Sequence, residues 1–484
     1  MMHFSQARHV HFVGIGGIGM SGIAEVLLTL GWPVSGSDLK PSPMTDRLAR
    51  LGARIHFGHA AENVDGAEVV VVSSAVAADN PEIVAAKARQ APVIPRAEML
   101  AELMRLKFGI AVAGMHGKTT TTSMIAHVLA ASGRDPTVVV GGRVDAMGSN
   151  ARLGKSEYLV AEADESDRSF LSLSPILSVI TNLDREHLDC YRDLADIQTA
   201  FVTFAQRVPF YGAVLIGGDE EAARAIVQRI ARRVLTYGVD GGNDLQVAEL
   251  RSGPWSVEFR LEATAAAAAF FQAAAQQPCP RDLGTFRLQV AGRHNALNAT
   301  AAVAAGLLLG CELETIRTAM AEFGGVDRRF QKKGVVGGVT VVDDYGHHPT
   351  EIAATLAAAR DCGPGKIVMI FQPHRYTRTQ KLHQEFVRAL AGADAVILLD
   401  IYAASEPPIA GVTAEGLAAD LHAAGVAAEY APNAATAVAR AVARAAPGDL
   451  ILTQGAGNVS ALAEKLLGAL KLRPAAAAQA ARHR

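Results

Sequence analysis

Gly117-Lys118-Thr119, preceded by Gly114-Met115-His116 and followed by Thr120, can hold a polyphosphate. Backbone N–H groups of the turn would cradle phosphate oxygens. The Lys118 ammonium would neutralise the outer phosphates, and the Thr119 hydroxyl would ligate a divalent cation. The strict phosphate-loop pattern puts a glycine five residues before Gly117, where this chain has Val112, so Gly114 must supply the flexibility. The apolar run Ile110–Ala113 before the turn and a helical pattern after it give the strand–turn–helix order such a loop needs. A second turn, Gly14-Ile15-Gly16-Gly17-Ile18-Gly19, fits GxGxxG between the strand pattern Val10–Val13 and the helix pattern Ser21–Leu30. Asp38 follows 19 residues after Gly19, the distance at which an acid meets a ribose hydroxyl. This turn alone does not separate NAD from another nucleotide. Both turns together do narrow the chemistry. A dehydrogenase uses only the first and a simple kinase only the second, whereas an enzyme that activates a nucleotide-bearing substrate with ATP uses both.

More polar residues fall where apolar runs end, the edge at which parallel sheets gather ligands. Glu162-Ala163-Asp164-Glu165-Ser166-Asp167 could hold hard cations, with a solvated acidic turn as the plainer reading. Asn182-Leu183-Asp184-Arg185-Glu186-His187 follows another run, and His187 is a candidate ligand for a second metal. Arg293-His294-Asn295, with Asn298, opens a helix, where the amides would cap it or meet a base edge. Asp343-Asp344-Tyr345-Gly346-His347-His348 and Gln372-Pro373-His374-Arg375-Tyr376-Thr377-Arg378 follow consecutive strand patterns, and the two arginines suit a carboxylate or phosphate.

These residues must be positioned by a repeated α/β scaffold. Short apolar runs alternate with amphipathic segments from end to end, the pattern of doubly wound, largely parallel sheets. The 484 residues predict about three domains, with boundaries placed near 106 and 325 and a disordered tail at 474–484. The Ala-rich stretch 263–275 reads as an exposed loop or short helix. With 46 Lys and Arg against 48 Asp and Glu, the net charge of -2 offers no basic excess for a nucleic acid. The four cysteines form no CxxC and fit reduced thiols in a cytoplasmic protein. No run of apolar residues is long enough to span a membrane, and none fits a signal peptide.

The motifs GIGGIGMSGIAE, SGSD, GMHGKTTTT, EADESD, GRHNALNA, DDYGHHPTEI and PHRYTRT resemble those of the Mur ligases, from His11 to about Leu467. The first and the last two of these motifs resemble the alanine-adding branch. Two positions depart from the family pattern: Met115 replaces a usual threonine, and Arg185-Glu186 stands where an Asp often precedes the histidine. No lysine lies between His187 and Tyr211, which fits a branch without a carbamylated lysine.

The resemblance implies three α/β domains: Rossmann-like at 1–106, a phosphate-loop ATPase-like centre at 107–325, and Rossmann-like again at 326–484. It implies ATP-dependent joining of L-alanine to the lactyl carboxylate of UDP-N-acetylmuramate in cytoplasmic peptidoglycan precursor synthesis. Mg²⁺ would be the cofactor, and the chain a monomer or weak homodimer with no nucleic-acid or membrane partner. By position, Gly114, Met115, His116, Gly117, Lys118, Thr119, Thr120, His294, Asn295, Arg329 and Asp344 match the ATP site. Thr119, Glu162 and His187 match the metal ligands. Gly16, Gly17, Ile18, Gly19, Ser37, Asp38 and Ser74 match the UDP-sugar site, and Tyr345, His347, His374, Arg375 and Arg378 the amino acid and acyl end. Lys118, Glu162, His187, His347 and Arg375 are thereby expected to be catalytic. An NAD dehydrogenase would leave the GKT loop and the third domain without a task. A ligase that reattaches a whole peptide would need a different third-domain pocket.

Overall fold

The structure, a computed structural model, describes residues 9–73, 76–144, 149–187 and 190–473, with backbone alone for Ile18 and 141–151. The described residues form three sheets. The first contains β1 (Val10–Val13), β2 (Val34–Asp38), β3 (Arg54–Phe57), β4 (Val69–Val72) and β5 (Val93–Pro95), in the order β3-β2-β1-β4-β5. Every pair in it is parallel.

The second sheet contains β6 (Phe108–Ala113), β7 (Thr137–Val144), β8 (Ser149–Arg152), β9 (Tyr158–Glu162), β10 (Leu177–Ile180), β11 (Ala213–Gly217) and β12 (Val234–Gly238). It continues with β13 (Leu245–Gly253), β14 (Ser256–Ala263) and β15 (Asp282–Leu288), in the order β15-β14-β13-β12-β11-β10-β6-β9-β7-β8. The third contains β16 (Gln331–Val336), β17 (Val339–Asp344), β18 (Ile367–Phe371), β19 (Ala395–Leu398), β20 (Ala427–Tyr430) and β21 (Leu450–Gln454), in the order β16-β17-β21-β18-β19-β20. β6 lies between β10 and β9, parallel to both, so the ends of these three strands point one way. The expected α/β architecture with parallel sheets is what the chain adopts.

Apolar runs become central strands because both of their faces are covered. In the third sheet Val342, Met369, Phe371 and Leu452 enter one core, while Val341, Ile370 and Ile451 enter the other. This two-residue alternation leaves no polar face. The antiparallel β16–β17 hairpin turns on Gly337 and Gly338, both at positive φ (58° and 77°), as a tight turn between twisted strands requires. The Ala-rich stretch is a helix, Ala265–Ala275, whose start is capped by the Thr264 hydroxyl accepting from the Ala267 N–H.

The chain divides into two compact units. One takes Met1–Ala248, Arg260–Phe286 and Leu297–Ala321, the other Glu249–Phe259, Arg287–Ala296 and Glu322–Arg484. In the second unit Trp255 stacks on Phe330 at 5.6 Å, with the Lys332 ammonium 4.9 Å over its ring. No helix among the described residues is long and apolar enough to cross a membrane. The expectation for the tail at 474–484 falls outside the described residues.

Candidate active site

In the first unit β6 delivers the phosphate-loop sequence to the sheet edge. Gly114 sits at φ 128° and Gly117 at φ 80°, and Gly117 leads directly into the helix Lys118–Ala131. Two residues after β10 fasten the turn. Asn182 Oδ1 accepts from the His116 N–H at 2.9 Å, and Asn182 Nδ2 and the Thr181 hydroxyl both donate to the His116 carbonyl. Met115 is buried, and the Thr121 hydroxyl donates to Asn298 Oδ1 from the helix Arg293–Leu308. Gly117 gives this helix no side-chain cap, the arrangement in which a helix start can take an anion.

Lys118 Nζ donates to the carbonyls of Gly114 (2.8 Å) and Met115 (3.2 Å) and to Glu165 Oε1 (2.7 Å). The Thr119 hydroxyl donates to Glu162 Oε2 at 2.9 Å. His187 Nε2 lies 3.2 Å from Glu165 Oε1, with His187 at a strained φ of 53°. Burial by itself would lower the Lys118 ammonium, but Glu165 and then Glu162 outweigh it and hold the group well above the usual lysine range. Lys118 and His187 thus meet at Glu165, and Thr119 meets Glu162. Glu165, read from the sequence only as one of several acids that could hold a cation, is the one that pairs with Lys118: EADESD offers two glutamates three residues apart, and nothing local says which faces the loop.

The GxGxxG turn is built as a pair with Asp38. Asp38 Oδ2 accepts from the Gly16 N–H at 2.8 Å, at the end of β2 beside β1. The helix Ile18–Thr29 starts after Gly17 without a side-chain cap, and Gly19 packs against Arg96. The Ser37 hydroxyl donates to Glu82 Oε2 at 2.6 Å, and His59 Nδ1 lies 3.1 Å from the same oxygen. Burial raises the Glu82 carboxyl, but His11 beside it and hydrogen bonds from Ser37 and Asn63 pull it down to about 2. Ser74 lies outside the described residues.

The second unit gathers its own set at the ends of β17 and β18. Tyr345, His347, His374 and Tyr402 form a chain of rings with successive centroids 5.5 Å apart. Burial, then His347, Arg378 and Arg375, push the His374 imidazole down to about 3. Arg378 Nη1 lies 3.3 Å from His374 Nδ1, and Arg375, at φ 72°, has Nη1 4.0 Å from Glu406 Oε1. Arg329 lies 5.1 Å over the Tyr345 ring and 3.7 Å from Glu351.

Asp344 is buried and already engaged. Its oxygens accept from the N–H groups of Phe330 and Gly346, from the Thr355 hydroxyl and from Gln454 Nε2, so it ties the end of β17 to its neighbours. Asn295 Nδ2 donates to the Ala291 carbonyl, and burial, then Arg329, lower His294 to about 4. Tyr402 and Glu406 escaped the sequence reading because they reach the site through a bridge between His374 and Tyr402, invisible to local spacing.

The comparisons with known proteins cover all three regions. The Mur ligase family catalytic domain matches residues 9–108, the Mur ligase middle domain 112–306, and the Mur ligase glutamate ligase domain 328–457. The chain is 58% identical to a UDP-N-acetylmuramate–L-alanine ligase of Acidobacterium capsulatum, over 97% of this chain and 99% of that one. It is 57% identical to the ligase of the same name from Koribacter versatilis, over 98% and 100%. Among solved structures, the UDP-N-acetylmuramate–alanine ligase MurC of Thermotoga maritima superposes with a TM-score of 0.78 at 29% identity, covering 96% of this chain and 99% of that one. A murein peptide ligase of Psychrobacter arcticus shares the fold, with a TM-score of 0.68 at 24% identity over 97% and 100%. With relatives this similar along nearly its whole length, the chain belongs to the Mur ligase family.

Proposed function

We propose that this enzyme uses ATP to join L-alanine to the lactyl carboxylate of UDP-N-acetylmuramate, giving ADP, phosphate and UDP-N-acetylmuramoyl-L-alanine for peptidoglycan. The observation that carries this reading is identity of 58% to an alanine ligase along almost the entire chain. A free carboxylate is a poor electrophile. Transfer of the γ-phosphoryl group to its oxygen gives an acyl phosphate and ADP. The alanine amine then adds to the acyl carbon, and the tetrahedral intermediate collapses by expelling phosphate and losing a proton.

Lys118 and the loop N–H groups hold the outer phosphates and offset charge on the transferring group. The N-terminal sheet holds the UDP-sugar through the turn Gly16-Gly17-Ile18-Gly19 with Ser37, Asp38 and Ser74. His294, Asn295, Arg329 and Asp344 serve the nucleotide, Asp344 by fixing the backbone around Phe330 and Gly346. Arg375 or Arg378 clamps the alanine carboxylate, and Tyr345, His347 and His374 border the acyl end. Both nucleotide substrates belong to the cytoplasm, and the enzyme is placed there.

The donor set fits Mg²⁺: the Thr119 hydroxyl and the Glu162 carboxylate are hard oxygens, the His187 imidazole lies 3.2 Å from Glu165, and Glu165 carries a buried oxygen without a donor among the described residues. Bound there, the ion would screen the repulsion between the substrate carboxylate and the phosphates. Phosphate release with UDP-N-acetylmuramate, ATP and each of the twenty amino acids, plus a muramyl-type tripeptide, tests the reading. Turnover is expected with L-alanine, and turnover with the tripeptide alone would replace it with a peptide-reattaching ligase.

A further inference from the structure

Glu165 is 1% exposed, and its two oxygens have different surroundings. Oε1 lies 2.7 Å from Lys118 Nζ and 3.2 Å from His187 Nε2. Oε2 is fully buried and has no hydrogen-bond partner among the described residues. The backbone beneath is held in place, because the buried Tyr191 hydroxyl donates to the Glu165 carbonyl at 2.7 Å. The Lys118 ammonium, for its part, has all three donors engaged: one on Glu165, one on the Gly114 carbonyl and one on the Met115 carbonyl. A phosphate entering the loop needs at least one of those donors. The cradle without nucleotide therefore satisfies its lysine and leaves a carboxylate oxygen unsatisfied, and an unmatched buried acceptor is costly.

We propose that Glu165 is a positioning residue that exchanges partners. Without nucleotide it restrains Lys118 and orients His187. When a nucleoside triphosphate and its divalent cation enter, Lys118 passes to the phosphate oxygens and the Glu165 carboxylate serves the cation side of the site through the oxygen now unmatched. The charge stays balanced, since the cation replaces the ammonium as the carboxylate's partner. The inference rests on the ATP-dependent reading above, but concerns a residue outside the Thr119, Glu162 and His187 set.

The exchange predicts two affinities that move in opposite directions. In Glu165→Gln, Lys118 is no longer restrained by a full charge, so ATP in excess EDTA should bind more tightly, by about threefold to tenfold. Mn²⁺ binding in the presence of a non-hydrolysable ATP analogue, read by electron paramagnetic resonance, should weaken by about tenfold or more, as for other residues that orient metal ligands. Calorimetry gives the first number, and neither readout depends on turnover. Glu165→Asp keeps the charge but shortens the reach, so it should weaken Mn²⁺ while leaving metal-free ATP near the wild-type value. This variant decides the matter if the glutamine protein does not fold. If both affinities fall together, or neither moves, Glu165 is a structural brace and the exchange is wrong, even though wild-type ATP binding and alanine ligation stand. A wild-type chain that binds no ATP overturns the parent reading and this one with it.

Discussion

A Cβ placed on Gly114 would lie 2.1 Å from Thr181 Oγ1, closer than any real side chain approaches. Gly114 also holds φ 128°, which L-residues rarely adopt. Gly114→Ala therefore strains the backbone and displaces the threonine that fastens the His116 carbonyl. Backbone strain of this kind costs about 1–3 kcal/mol. The variant should unfold at lower temperature and bind ATP far more weakly, with UDP-N-acetylmuramate binding little changed. Wild-type ATP affinity in the variant would show that the loop tolerates movement here.

Lys118→Ala removes the one ammonium that Glu165 and the loop carbonyls jointly place. Phosphate release should fall to background in this protein. Binding of the UDP-sugar, measured by calorimetry without ATP, should survive, because its proposed residues lie around β1 and β2. Near-normal turnover would remove Lys118 from the phosphoryl-transfer step.

Arg375→Lys separates the two chemical steps. Isotope scrambling between the bridging and non-bridging oxygens of ATP, with UDP-N-acetylmuramate and no amino acid, reports acyl-phosphate formation. The variant should keep that scrambling while the KM for alanine rises and kcat falls, since a lysine cannot reproduce a two-pronged clamp. If scrambling disappears, Arg375 acts on the first step.

The pH dependence of stability follows from His374. Its folded pKa of about 3 lies below the 6.5 of an unperturbed histidine, so between these values the unfolded chain binds the additional proton. Stability from keeping this imidazole neutral is present above pH 6.5 and is lost as pH falls from 6.5 toward 3. His294, lowered to about 4, acts in the same direction over pH 6.5 to 4. His374→Gln should therefore flatten the decline of the urea midpoint of the C-terminal transition between pH 6.5 and 4.5. An unchanged slope would assign the decline to other groups.

Much of this was legible where the signal is local. The two glycine turns, the strand runs on either side of them and the Lys118-Thr119 pair follow from residue type and short spacing, whereas Glu162 was singled out among the acids of its turn by the family resemblance. Gly337-Gly338, which the sequence reading did not use, turns β16 back antiparallel to β17. The residues that needed the fold are those joined by register. Thr181 reaches His116 only because β10 lies beside β6, and Tyr402 reaches His374 only through an isolated bridge. Glu165 is of a third kind. Its identity was plain, but which of its oxygens is matched depends on two side chains, Lys118 and His187, from two other segments.

The second compact unit is assembled from three separate stretches of chain, two of them, Glu249–Phe259 and Arg287–Ala296, only 11 and 10 residues long. Its aromatic stack joins Trp255 from the first stretch to Phe330 from the last. This compact unit is thus not a contiguous stretch of gene. A clone beginning near residue 322 would lack Trp255 and expose the face of Phe330, and one ending there would display Trp255 to solvent. Fragment libraries, domain swaps between relatives and fusion designs that cut the chain once would therefore divide this compact unit. Recombination that keeps this stack must carry Trp255 and Phe330 together.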